Sequence, residues 1–259
     1  MGCGLVVQVQ ASIVIDAASL AAKVDISLAG SDPHRVAAGD LDGDGKPDLV
    51  ISRYGSSAIT IFRNVGSPGA ISGGSFAAGV DYAVSSPPSI VRLADLDGDG
   101  LLDVIVQQPN TTELIGVFRN TSTAGSISLA TRIDFATPSP RAFAVKDLDG
   151  DGKLDLAVAS GNGSISLWRN TSTQGEITSG SFASAISISA PSSISEVEAV
   201  DVDGDGKPEL ITANSSNSIS VFRNTSTTGS LTSSSFAAQV DFAAASQSFR
   251  LQSGDLDGD

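Results

Sequence analysis

The stretch Asp40-Leu41-Asp42-Gly43-Asp44-Gly45-Lys46-Pro47-Asp48 sets the plan of this chain, because nearly the same nine residues return at 95–103, 147–155 and 201–209. A fifth copy opens at Asp255 and runs to the last residue, Asp259. Carboxylates at positions 1, 3, 5 and 9, with glycines at 4 and 6 that let the backbone turn sharply, form an oxygen-rich pocket for a hard cation. Calcium is the natural occupant, and without a cation the closely spaced carboxylates would repel one another.

A calcium loop of the helix-loop-helix kind begins in the same way but runs to twelve residues and ends on a bidentate Glu. Here the twelfth positions are Ile51, Val106, Val158 and Thr212, none of which binds a metal. The residues after position 9 are Leu49-Val50-Ile51, Val104-Ile105-Val106, Leu156-Ala157-Val158 and Leu210-Ile211-Thr212, short β-branched runs that predict a strand. Position 7 varies between Lys and Leu, as expected if only its backbone carbonyl faces the ion and its side chain points to water. Position 2 is always apolar (Leu41, Leu96, Leu148, Val202, Leu256) and is read as the peg that fixes the loop to the core.

The motif starts at residues 40, 95, 147, 201 and 255 give a period of 52 to 55 residues, which marks a repeat architecture. Each period carries four short segments without helical apolar spacing. The first runs into the loop (34–39, 89–94, 141–146, 194–200) and the second leaves it. The third is 58–64, with counterparts at 114–120, 164–170 and 218–224; the fourth is 76–82, with counterparts at 129–135, 182–188 and 236–242. Four antiparallel strands per repeat of this length make one blade of an all-β propeller. Phe62, Phe118, Trp168 and Phe222 share one slot, where packing between blades is expected. The division that follows is 1–32 as N-terminal strands completing a preceding partial blade, 33–245 as four full blades, and 246–259 as the first strand and truncated loop of a further blade. Two arrangements are compatible with it: a crude five-bladed ring, or an open arc that is an incomplete fragment of a larger propeller in a longer chain.

Composition agrees with many short strands and tight turns: 41% of residues are hydrophobic but only 5% aromatic, and Gly numbers 27. The formal charge of -14 is local, since 19 of the 29 acidic residues sit in the five motifs. Filling four loops with calcium would still leave the chain acidic, which argues against nucleic acid as a partner. Cys3 is the sole cysteine, so no intrachain disulfide forms, and no apolar run is long enough to insert in a membrane.

A tandem Asp-x-Asp-Gly-Asp-Gly-x-x-Asp loop set between strands in a repeat of this length resembles the FG-GAP/VCBS repeat family, which includes integrin α-subunit propellers and propeller lectins. The resemblance covers residues 19–259. It implies about one Ca2+ per complete repeat, held by Asp40, Asp42, Asp44, the Lys46 carbonyl and Asp48. The counterparts are Asp95, Asp97, Asp99, Leu101 and Asp103; Asp147, Asp149, Asp151, Lys153 and Asp155; and Asp201, Asp203, Asp205, Lys207 and Glu209. Asp255, Asp257 and Asp259 belong to the broken copy. Glu209 departs from the ninth-position Asp, and the Phe-Gly and Gly-Ala-Pro signatures behind the family name are absent.

Outside the loops, Arg63-Asn64, Arg119-Asn120, Arg169-Asn170 and Arg223-Asn224 are read as cross-strand partners of Asp81, Asp134 and Asp241, with Asn starting a turn; a repeated ligand surface is the other reading. Asn110, Asn120, Asn162, Asn170, Asn214 and Asn224 lie in Asn-x-Ser/Thr sequons that follow from the turn of the repeat. His34 is the sole histidine and is read as incidental, and Glu196 and Glu198 share a strand face without a matching pair. With no convergent acid, base or nucleophile the chain reads as no enzyme. The expectation is a non-catalytic, calcium-stabilised module of an extracellular or cell-surface protein, acting in adhesion or in recognition of a glycan or extracellular protein. The alternative is the scaffold of a secreted polysaccharide-degrading enzyme whose catalytic part lies elsewhere.

Overall fold

The computed structural model of the chain describes residues 23–28, 32–110, 113–190, 192–244 and 250–254. Among them every regular element is a strand except a 3-10 turn at Tyr54–Ser56, and no helix is long and apolar enough to cross a membrane. Sixteen strands form four separate antiparallel sheets, each in simple sequential order. The first blade is β1 (Pro33–Gly39), β2 (Asp48–Arg53), β3 (Ala58–Phe62) and β4 (Val80–Ala83); the second is β5 (Ile90–Ala94), β6 (Asp103–Gln108), β7 (Leu114–Phe118) and β8 (Ile133–Ala136). The third is β9 (Pro140–Lys146), β10 (Asp155–Ser160), β11 (Ser164–Trp168) and β12 (Ile186–Ser189); the fourth is β13 (Ile194–Val200), β14 (Glu209–Asn214), β15 (Ser218–Phe222) and β16 (Val240–Ala243). These are the blades of a β-propeller arc, with β1 against β5 and β9 against β13 on the inner side. Residues 23–28 and 250–254 carry no strand, and the remainder of the expected end segments, with Asp255, Asp257 and Asp259, lies outside the described residues.

Second strands carry two to four consecutive apolar residues between polar ends, with no alternation, because both faces of a blade are covered by neighbours. β6 and β10 are buried along their whole length, where a half-solvated sheet would alternate. The shared aromatic slot behaves as expected. Phe118 of the second blade meets Tyr82 of the first edge-on with ring centres 6.1 Å apart, and Trp168 of the third meets Phe135 of the second in the same way.

The fourth strand is shorter than its sequence segment. Phe76 makes a lone bridge to Asn64, and the ladder resumes only at Val80 opposite Ile61. Between these two points the fourth segment spends three residues (77–79) where the third spends two (62 and 63), a one-residue bulge that returns in every blade.

Candidate metal loops at the blade joints

Each nine-residue loop links the innermost strand of a blade to the second, so all four complete loops lie at the same end of the arc. The two glycines take the left-handed conformation that the turn requires, with φ of +74° and +83° at Gly43 and Gly45 and similar values in the other copies. Backbone N–H groups then point inward: Gly43 and Gly45 donate to Asp40 Oδ1 and Oδ2, both at 2.8 Å. Asp48 ties the loop shut, accepting from Leu41 N at 2.9 Å and from Asn64 N at 2.7 Å. Asp103 and Asp155 repeat both bonds, and Glu209 reproduces them with its longer side chain at 3.0 and 3.3 Å.

Three carboxylates per loop bring ligand atoms within 4.8 Å of one another: Asp40, Asp42 and Asp48; Asp95, Asp97 and Asp99; Asp147, Asp149 and Asp155; and Asp201, Asp203 and Glu209. Oxygens on opposite sides of a calcium ion bound at about 2.3–2.6 Å would be separated by about that much, so the donor set fits this hard cation in size and in chemistry. Asp44, Asp103, Asp151 and Asp205 stand outside those groups of three. Burial pushes the carboxyls of Asp103 and Asp155 up to about 7, with the neighbouring loop carboxylates adding to the rise and the two backbone N–H bonds opposing it. Asp48 is raised for the same first reason. A site that resists its own negative charge in this way gains most from a bound cation.

The asparagines start the turn as expected, with Oδ1 of Asn64, Asn120, Asn170 and Asn224 accepting from the backbone N–H two residues on, but the arginines do not pair with the fourth-strand acids. Arg63 Nε donates to Asp42 of its own loop at 2.8 Å, and Arg119 holds Asp97 and Asp99 at 2.7 and 3.1 Å. Arg169 holds Asp149 and Asp151 at 2.6 and 2.7 Å. The fourth-strand acids are engaged elsewhere: Asp81 by Arg53 and Thr60, Asp134 by Arg132, Asp241 by Ser220. Arg63, Arg119 and Arg169 therefore steady positions 3 and 5 of the first three loops, whereas Arg223 is exposed and makes no such ion pair among the described residues. Position 7 also differs from expectation, since the amines of Lys153 and Lys207 donate to the carbonyls of Ser172 and Ser226.

The asparagine joins two blades. Asn120 Nδ2 donates to Leu102 O of its own blade and to Leu41 O, the position-2 carbonyl of the preceding loop, at 2.9 and 2.8 Å. Asn170 does the same to Leu154 and Leu96, and Asn224 to Pro208 and Leu148. Gly175 N and Gly229 N reach back to Asp97 O and Asp149 O. Each of the first three loops is thus clasped by the turn of the following blade, and these buried asparagines have no room for a glycan.

The FG-GAP-like repeat model matches residues 40–106, 95–158, 147–212 and 201–259. The chain belongs to the FG-GAP-like repeat family. Each match begins at the first acid of a loop, and the first three run on through the next loop to three residues beyond its ninth position, so successive matches overlap at a loop. No curated protein matches the chain. Among solved structures, this FG-GAP-like chain is similar to BBS1N, crystallised in complex with ARL6DN and soaked with lead: TM-score 0.54, 11% identity, 86% of this chain and 59% of that one. It is also similar to the V. cholerae biofilm matrix protein Bap1, with TM-score 0.47, 20% identity, 82% of this chain and 29% of that one. The chain spans less than two thirds of the length of either.

Proposed function

We propose that the protein is a calcium-stabilised, non-catalytic recognition module that works outside the cell or at its surface, binding a glycan or an extracellular protein. The observation that carries this reading is the recurrence of the acid triad at every described loop, each with a buried ninth-position carboxylate. A cation needed once for chemistry would not be provided for four times; ions at successive blade joints are structural. Calcium would bridge the loop carboxylates, lock the position-2 carbonyl in place and so fix the blade that clasps it. All-oxygen sites of modest affinity fill where calcium is millimolar, which supports an extracellular setting.

Two measurements test the reading. Calcium titrated into the chelated protein should bind at more than one site and raise the melting temperature; an unchanged melting temperature in excess EDTA would overturn the structural role. A glycan array probed with and without calcium should show selective, calcium-supported binding, and turnover of a polysaccharide by the protein would overturn the non-catalytic part.

A further inference from the structure

We propose that the end of the arc away from the metal loops carries an anion-binding mouth that takes acidic saccharides. The proposal rests on the recognition reading above and narrows its ligand. Innermost strands of all four blades open at this end, about six residues and roughly 20 Å of strand from the loops. Their starts enclose a cavity of about 410 Å³ lined by His34, Arg35, Ser89, Arg141 and Arg250, together with Ile90, Ile194 and small polar residues, and no acid lines it. That volume lies in the range of small-ligand sites.

The charge at this mouth runs against the rest of the molecule. In a chain of net charge -14, the described arginines 53, 63, 92, 119, 132, 169 and 250 are each ion-paired. Arg35, Arg141 and Arg223 have no acidic partner among the described residues; Arg223 is exposed at the other end of its blade, while Arg35 and Arg141 both face this one cavity. The Arg35 guanidinium bonds the His34 carbonyl at 3.1 Å and no acid. Arg250, which also lines the mouth, is paired with Glu196 at 3.2 Å and stays 61% exposed.

The wall is also held in shape. His34 Nδ1 lies 2.8 Å from Ser89 O; a carbonyl only accepts, so Nδ1 carries the proton and Nε2 is left for a ligand. The same ring packs on Tyr54 with centroids 5.7 Å apart, and Tyr54 in turn is bonded by Asn110. A further point concerns register. His34, Ser89, Arg141 and Ser195 occupy the same place in their blades, six residues before the first loop acid, yet differ in chemistry where the surrounding scaffold repeats. Planar guanidinium forks match carboxylate or sulfate oxygens, while hydroxyls and a fixed ring suit the rest of a sugar.

The test is isothermal titration of the calcium-loaded protein with tetragalacturonate, with a sulfated dextran oligomer and with neutral dextran of the same length, each at matched free calcium. The double variant R35Q/R141Q, checked for an unchanged melting temperature, is titrated alongside; R223Q, which removes an exposed arginine far from the mouth, is the charge control. The expected result is binding of one or both acidic oligomers and none of the neutral one, weakened at least about tenfold in R35Q/R141Q and unchanged in R223Q. The carboxylated and sulfated arms identify which oxyanion the mouth prefers. Equal loss in R223Q, equal binding of neutral dextran, or no binding of either acidic oligomer would overturn the proposal. Selective binding of neutral glycans that survives R35Q/R141Q would overturn this site and leave the broader recognition reading standing.

Discussion

The first three metal loops and the fourth share a sequence plan but not their surroundings. In the first three, the position-2 leucines Leu41, Leu96 and Leu148 are 0 to 3% exposed, and their carbonyls are held by an asparagine from the next blade. In the fourth, Val202 is 54% exposed and residues 201–207 all lie at the surface. The difference extends down the blade. Phe135 and Ile188 on the outermost strands are buried beneath the following blade, whereas Phe242 at the same place is 55% exposed. Arg63, Arg119 and Arg169 are half-buried beside a glycine of the next turn, while Arg223 is exposed. At the opposite flank Val36 is 61% exposed, although Val91, Phe143 and Val197 in its register are 4% exposed or less. Part of what holds each of the first three candidate loops in place is therefore supplied by the next blade.

The largest expected effect comes from calcium removal. Each filled site contributes about 2.7 kcal/mol when free calcium is 100-fold above its dissociation constant, so chelation should lower the melting temperature steeply. Calorimetric titration should then separate the clasped loops from a weaker fourth, and four equal affinities would break the comparison. Next in size, Leu148→Ala should cost about 2–5 kcal/mol in denaturant unfolding, because it empties a fully buried position. Val202→Ala should cost under about 0.5 kcal/mol.

The asparagines sharpen the same contrast. Asn170→Ala takes from the Leu154 carbonyl its side-chain donor and leaves the buried Leu96 carbonyl only Ser172 Oγ at 3.1 Å, a loss of about 1–3 kcal/mol. The side-chain amide of Asn64 donates to Pro47 O alone, within its own blade, and Asn64→Ala should cost about 1 kcal/mol or less. Similar losses in the two variants would show that the clasp between blades contributes nothing.

The smallest effect belongs to Glu196, which stands where the second and third blades have Ile90 and Ala142. Burial raises its carboxyl above the usual range, with Glu198 adding to the rise and Arg92 opposing it. Because the folded pKa is the higher one, the charged form costs stability in full above it, and that cost fades as pH falls from the folded pKa to the unfolded value, below which it is gone. Glu196→Gln should therefore raise the melting temperature by no more than about 4 °C at pH 7 and have no effect near pH 4. A gain that persisted at pH 4 would assign the effect to packing.

Much of this architecture was legible before any coordinates. The nine-residue spacing, the β-branched run after position 9 and the period of 52 to 55 residues give the blades nearly residue for residue, since each is a local property of one repeat. The partner of Arg63 was legible in principle and was misread. β2 starts at position 9, so the antiparallel return of β3 ends opposite Leu49 and delivers the next residue back to the loop. The clasp by Asn120, Asn170 and Asn224 was not legible, because it joins residues 74 to 79 apart across two sheets and depends on how blades stack. The convergence of Arg35, Arg141 and Arg250 was hidden for the same reason: they meet only where the first strands of the first and third blades approach the segment that follows the fourth.

The shared asparagine has an evolutionary corollary. Every joint is written half in one repeat and half in the next, by the same residues at the same offsets, so a tandem duplication of about one period would carry both halves with it. The newcomer would find its predecessor's loop ready to be gripped and would offer its own loop to its successor. Blade number in such a gene can drift by unequal crossing-over without any new interface having to be invented.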